Sequence, residues 1–177
     1  MRILRHLLAI LLLPFVMVVV VPRWIVLGEA ASDTRWQAGT AAAWGGHAAG
    51  ALLFLAGFAL FAWCVALFAR VGRGTLAPWD PTRRLVAVGP YRYMRNPMIT
   101  GVLAMIFGEA LFLGSRAVAV WGAAFFAINQ AYFLVLEEPG LELRFGEAYR
   151  RYKAAVPRWL PRTTPWTGGD APAAERD

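Results

Sequence analysis

Two groups of side chains carry most of the chemistry this chain can offer. One is the run Tyr91-Arg92-Tyr93-Met94-Arg95-Asn96-Pro97 and the other is the pair Glu137-Glu138. Between them, residues 98–136 are almost wholly apolar, with the break Leu113-Gly114-Ser115-Arg116 near the middle. One bilayer crossing takes about 20 residues, so such a stretch can cross and return. The small break is where a tight helix–helix turn belongs. A hairpin folded there brings Arg95 and Glu137 close together at one membrane face, with two carboxylates, several arginines and three or four tyrosines around them. Charge at a membrane edge is expensive unless it is paired or used.

Each of these residues also has a plainer reading. A glutamate near the first turn of the helix that follows is favoured by the helix dipole, which accounts for one of the pair. Arg92 and Arg95 can serve as topology signals. Against that, Pro97 restricts Asn96 to extended geometry and so holds Arg95 rigidly, which suits bidentate binding of a carboxylate or phosphate. Glu109 lies about one turn before the break, far from the charged mouth, where it can pair with Arg116 or meet water. Asn129 and Gln130 can bond across helices or line a cofactor pocket. His6 and His47 read as structural, and Cys64, inside an apolar run, as a buried inert thiol. No metal site is expected.

The elements that must position these groups follow from composition and hydropathy. The 177 residues are 59% hydrophobic and 16% charged, with a mean hydropathy of +0.49. A soluble domain is nearer half apolar and a quarter charged, so this is an integral membrane protein. The expected fold is all-α, a polytopic membrane helical bundle. It has about four transmembrane helices, over 3–27, 44–68, 98–113 and 117–136, plus a C-terminal amphipathic helix. The net charge of +7 does not indicate nucleic acid, because the basic residues sit in short segments between apolar runs. Their bias places both termini in the cytoplasm, and the bacterial inner membrane is the expected location. The first span is read as uncleaved although Gly28-Glu29-Ala30-Ala31 has the look of a signal-peptide cleavage site.

Gly101, Ala104 and Gly108 share a face of the third span, and Ala123, Ala124, Ala127 and Ala131 supply small residues on the fourth. These are expected to let the two backbones approach. After Pro139, the residues Leu141, Phe145, Ala148, Tyr149, Tyr152 and Val156 recur at helical spacing, giving an amphipathic helix of about four turns. The loop 70–97 is rich in Gly and Pro and stays out of lipid. Gly72-Arg73-Gly74 is too short for a nucleotide signature, and no βαβ unit accompanies it. Three parts result: two N-terminal spans over 1–69, a core over 70–161, and a disordered tail over 162–177.

The run from Gly89 through Asn96-Pro97-Met98-Ile99-Thr100-Gly101 resembles the Arg-His-Pro-x-Tyr-x-Gly region of isoprenylcysteine carboxyl methyltransferases. The run Glu137-Glu138-Pro139-Gly140-Leu141-Glu142-Leu143-Arg144-Phe145-Gly146-Glu147-Ala148-Tyr149-Arg150-Arg151-Tyr152 resembles their second signature, and Val156-Pro157-Arg158 its close. Phospholipid methyltransferases share the paired glutamates. The resemblance implies an S-adenosylmethionine-dependent methyltransferase whose cofactor site is made by membrane helices. On it, Tyr91, Arg95, Asn96, Pro97, Gly101, Glu137, Glu138, Phe145, Tyr149 and Tyr152 fall at the cofactor, and Arg95 and Glu138 at the chemistry. Partners are then membrane lipids and a lipophilic small-molecule or lipid acceptor, without nucleic acid. Asn96 and Ile99 stand where many relatives have histidine and tyrosine, so the isoprenylcysteine acceptor is not carried over. Carboxylate O-methylation is preferred over amine N-methylation. The rival readings are an NADPH-dependent reductase related to sterol reductases and a non-catalytic membrane subunit.

Overall fold

A computed structural model of the chain describes residues 14–28, 36, 39–71 and 85–168. All regular structure among the described residues is helical. Helix α1 runs over Val16–Gly28 and opens with a π turn. Helix α2 is Ala41–Val71, and a 3₁₀ turn at Gly89–Arg92 leads into α3, Pro97–Leu113. Helix α4, Arg116–Tyr132, continues through a π turn at Phe133–Glu137 into α5, Glu138–Ala155.

Two of these helices are long and apolar enough to cross a membrane, Ala41–Phe68 and the continuous run Arg116–Ala155. Only 17% of each apolar window is buried. Side chains such as Leu52, 69% exposed, and Trp63, 56% exposed, point away from the bundle. Lipid tolerates such a surface and water does not, so the chain is a membrane protein. The expected count of four spans is not reached on this measure. Residues 3–13 of the first expected span lie outside the described residues, and α3, at 17 residues, is about 26 Å long, short of a 30 Å core. From Arg116, about 20 residues complete a crossing, which puts Glu137 and all that follows beyond the span.

The hairpin turn forms where the sequence placed it. Gly114 takes the left-handed conformation, φ 66°, that ends α3, and Ser115 caps α4 by accepting a 3.1 Å bond from the Val118 amide. The close backbone approach lies elsewhere than expected. Gly101 and Gly108 face α2, not α4: a β-carbon on Gly57 would lie 2.6 Å from the Gly101 carbonyl oxygen, and one on Gly108 would lie 2.7 Å from the Phe54 nitrogen. Gly50 and Gly57 repeat the seven-residue spacing of Gly101 and Gly108, so two small-residue faces mate. Ala123, Ala124, Ala127 and Ala131 are exposed. Helix α4 packs instead through Val118, Gly122 and Phe125, which recur at helical spacing toward Ile106 and Phe107.

Helix α5 is not the single rod expected. Gly146 sits inside it at φ 53°, ψ −127°, a conformation open to glycine alone, and divides it into two helical halves. In an unbroken helix Lys153 and Glu138 would be about 22 Å apart. Their charged groups are instead 3.1 Å apart, so the break folds the second half back over the first. The apolar face closes inside that fold, where Tyr149, Tyr152 and Val156 are buried against Leu141 and Phe145. Ala148 is exposed.

Candidate functional site

The mouth is built on residues 89–97. Gly89 adopts φ 56° and Pro90 starts the 3₁₀ turn, which drives Tyr91 into the core beside Cys64 and edge-on to Phe68 at 5.5 Å. Cys64 is fully buried, as read from its apolar surroundings. Pro97 occupies the first turn of α3, where its missing N–H costs nothing. The stretch just before it is held from outside: the Arg95 amide donates to the Pro157 carbonyl at 2.9 Å and the Asn96 amide to that of Arg158 at 3.3 Å. The Tyr152 hydroxyl donates to the Tyr91 carbonyl at 2.6 Å. The two sequence motifs are thus zipped together by backbone.

The arginine–glutamate contact exists, but the glutamate is Glu138. Its Oε1 meets Arg95 Nη1 at 2.6 Å and Arg158 Nε at 2.7 Å, while Oε2 meets Lys153 Nζ at 3.1 Å. Lys153 also bonds Glu142 at 2.7 Å. Glu138 is only 4% exposed. Burial raises its pKa, but Arg158, Arg95 and Lys153 outweigh burial and hold it below the usual carboxylate range. Such a cluster holds its members in place: removing one partner strands buried charge. Arg158 and Lys153 were not foreseen. Arg158 stood in the sequence as the close of the second motif, whereas Lys153 reaches Glu138 only because Gly146 reverses the chain.

Glu137, next in sequence, is different. It forms no hydrogen bond or ion pair with the described residues, yet it lies among Tyr91, Tyr132 and Tyr149, whose hydroxyls feel its charge. Burial, with the neighbouring Glu138 charge added, pushes its pKa up to about 7. Tyr149 is buried and its hydroxyl pairs with Arg95; burial is also the main reason its own pKa is raised. The Asn96 side chain makes no hydrogen bond among the described residues, and Thr100 bonds the Asn96 carbonyl instead. Phe145 is half-buried under the Arg144 guanidinium, 5.8 Å from its ring centre. Gly101 has its Cα against α2 and serves packing there.

Residues 162–168, expected to be disordered with the rest of the tail, lie along the mouth. The Arg162 amide donates to the Tyr93 carbonyl at 3.0 Å and the Trp166 amide to that of Arg92 at 2.9 Å. Arg92 Nε returns a 2.7 Å bond to the Trp166 carbonyl, and the Trp166 ring packs edge-on to Tyr152 at 5.1 Å. A tryptophan in a polar tail was the overlooked signal. Trp159 donates to Gln130 Oε1 at 2.7 Å and packs on Phe126 and Phe133, while Asn129 bonds back to the Phe125 carbonyl. Gln130 therefore ties the segment after α5 to the hairpin. His47 bonds the Phe112 carbonyl at 2.7 Å, a structural role. No ion pair joins Glu109 to Arg116 among the described residues. No group of three or more metal-ligating side chains occurs among the described residues.

The geometry amounts to a pre-built mouth. A buried ion cluster fixes the backbone, and one uncommitted carboxylate sits among aromatic rings at the end of a membrane span. No solved structure matches the chain significantly. A curated relative, an uncharacterized protein of Haemophilus influenzae, is 33% identical over 63 residues, which is 36% of this chain and all of that protein. The family model described as phospholipid methyltransferase matches residues 46–148, more than half of the chain. That match begins in α2, takes in the 89–97 turn and the hairpin, and ends in the second half of α5, so this membrane protein belongs to the phospholipid methyltransferase family.

Proposed function

We propose that the chain transfers the methyl group of S-adenosylmethionine to a lipophilic acceptor at the mouth between residues 91–97 and Glu137. The observation that carries this reading is the unpaired Glu137 carboxylate, set among Tyr91, Tyr132 and Tyr149 beside a fully neutralised Glu138. The residues suit the cofactor's groups. A free carboxylate receives the α-ammonium, the exposed ring of Tyr132 offers a face to the flat adenine, and the positive side of the ion cluster faces the α-carboxylate. The bound cofactor supplies an electrophilic sulfonium methyl. The protein contributes position and water exclusion, since in-line transfer is governed largely by orientation.

In this reading Arg95 and Glu138 position the site rather than touch the reacting atoms. Glu138 is held ionised by three cations and is a poor proton acceptor. Arg95, needed to orient a carboxylate acceptor, already spends its Nη1 on Glu138. Amine N-methylation fits better than the carboxylate O-methylation preferred from the sequence, provided the acceptor's ammonium first gives its proton to solvent at the aqueous edge of the mouth. The free amine then forms the N–C bond as the S–C bond breaks, leaving S-adenosylhomocysteine. The acceptor enters from the bilayer past the exposed Leu134, Val135 and Leu136, and the cofactor from the aqueous side, taken as cytoplasmic from the bias of basic residues. Calorimetry on detergent-solubilised protein tests this: S-adenosylhomocysteine binds and NADPH does not, and a labelled methyl group passes to an amine-bearing lipid. Binding of NADPH alone would replace the methyltransferase reading with a reductase.

A further inference from the structure

At the end of the bundle away from the mouth, α1, α2 and α3 line an open cavity of about 460 Å³. Its walls are apolar, with Val26, Phe54, Phe112 and Leu113 among them, and among the described residues the charged ones lining it are Arg23 and Glu109. Glu109 stands 12 residues along α3 from Pro97, roughly 18 Å at 1.5 Å per residue. The cavity is therefore separate from the ion cluster and from Glu137. Glu109 Oε2 is buried and accepts no hydrogen bond from the described residues. Arg23 lines the same cavity, yet the two are not within ion-pair distance. A shielded carboxylate oxygen with no donor is costly, and a partner that supplies one is correspondingly favoured.

We infer that this cavity is a second lipid site, taking a zwitterionic headgroup whose ammonium meets Glu109 and whose phosphate meets Arg23. A simple cation would satisfy Glu109 and leave Arg23 facing a positive charge. A simple anion would do the reverse. Only a head bearing both signs answers both groups. The ligand is a lipid rather than a soluble zwitterion because the walls are apolar and exposed apolar side chains stand beside the opening. Leu27 at the rim is 69% exposed, and Trp24, beside Arg23, is 78% exposed, in the manner of an interfacial anchor.

The test uses full-length protein, delipidated in detergent and reconstituted into nanodiscs of phosphatidylethanolamine or phosphatidylglycerol, with native mass spectrometry reading the retained lipid. Wild type is expected to retain phosphatidylethanolamine at least fivefold over phosphatidylglycerol. Glu109→Gln and Arg23→Gln should each abolish that preference, while Glu137→Gln keeps it. Binding of S-adenosylhomocysteine by Glu109→Gln at wild-type affinity confirms that this variant is folded. Equal retention of the two lipids by wild type, or a preference surviving both substitutions, overturns the proposal. So does displacement of the lipid by millimolar soluble phosphoethanolamine, which would make the head alone the ligand. Loss of the preference in Glu137→Gln would assign the lipid to the mouth and equally overturn it.

Discussion

Two neighbouring glutamates should respond in opposite ways to the same change. Glu138→Gln removes the negative charge shared by Arg95, Arg158 and Lys153. The side chains of Arg95 and Arg158 are 11% and 15% exposed, so water cannot replace it for them, whereas Lys153, at 38%, is partly solvated. Breaking a buried pair costs about 3–5 kcal/mol, and the two arginines place this variant in that range. Glu137→Gln removes a charge with no partner. The pKa of Glu137 in the fold, about 7, lies above the ordinary glutamate value of 4.5. The carboxylate therefore costs the fold stability as pH rises from the lower value to the higher, and the amide removes that cost. The expected change is within about 1 kcal/mol of zero, or stabilising. Ligand binding should show the reverse order. A charge-assisted hydrogen bond contributes about 1.5–3 kcal/mol, so Glu137→Gln weakens S-adenosylhomocysteine binding roughly 10- to 150-fold. Unfolding followed by tryptophan fluorescence and calorimetry in the same detergent measure both quantities. A Glu138→Gln variant as stable as wild type, or a Glu137→Gln variant equally destabilised, would refute the assignment.

Three further outcomes follow from the same geometry. Affinity for S-adenosylhomocysteine should rise by up to about tenfold per pH unit from pH 5.5 toward 7 and then level off, as Glu137 with a pKa of about 7 gives up its proton; calorimetry across that range reads it, and Glu137→Gln should flatten the curve. Gly146→Ala forces a β-carbon into φ 53°, ψ −127° at a cost of about 1–3 kcal/mol; it should loosen Lys153 from Glu138, seen as faster proteolysis within 139–156. Gly57→Leu places a side chain where a β-carbon already lies 2.6 Å from the Gly101 carbonyl; it should separate α2 from α3 and lower the thermal midpoint far more than Gly45→Leu, where nothing stands within 4 Å of the same atom.

The parts legible in the sequence were those written in local chemistry. The αL glycine and serine cap at 114–115, the buried Cys64, and the meeting of the two motifs all follow from turn residues and hydropathy. What was not legible depended on direction. Successive helix residues point about 100° apart, so spacing brought a glutamate to Arg95 without saying which one. Small residues on α2, α3 and α4 offered several pairings, and only packing selected Gly50 and Gly57 as the partners of Gly101 and Gly108. The break at Gly146 was invisible because Tyr149, Tyr152 and Val156 keep the period expected of a continuous helix. Trp166 was passed over because its neighbours are polar.

The paired glutamates make electrostatic sense as a division of labour. Arg95, Lys153 and Arg158 against Glu138 and Glu142 leave one positive charge, and Glu137 balances it from an adjacent but separate position. The cluster taken with an ionised Glu137 is then close to neutral yet strongly polarised, with its positive side in the backbone-zipped segment 95–96 and 157–158 and its negative side at the end of the membrane span. A zwitterionic amino-acid end fits such a field in one orientation only. In the proposed reaction that orientation is the useful one, because it directs the rest of the molecule toward the lipid-facing side of Glu137. The ion cluster also joins the 91–97 turn, both halves of α5 and the segment after it, so these four pieces move together or pay for separating buried charge. Alignment for the proposed methyl transfer is therefore set when the chain folds.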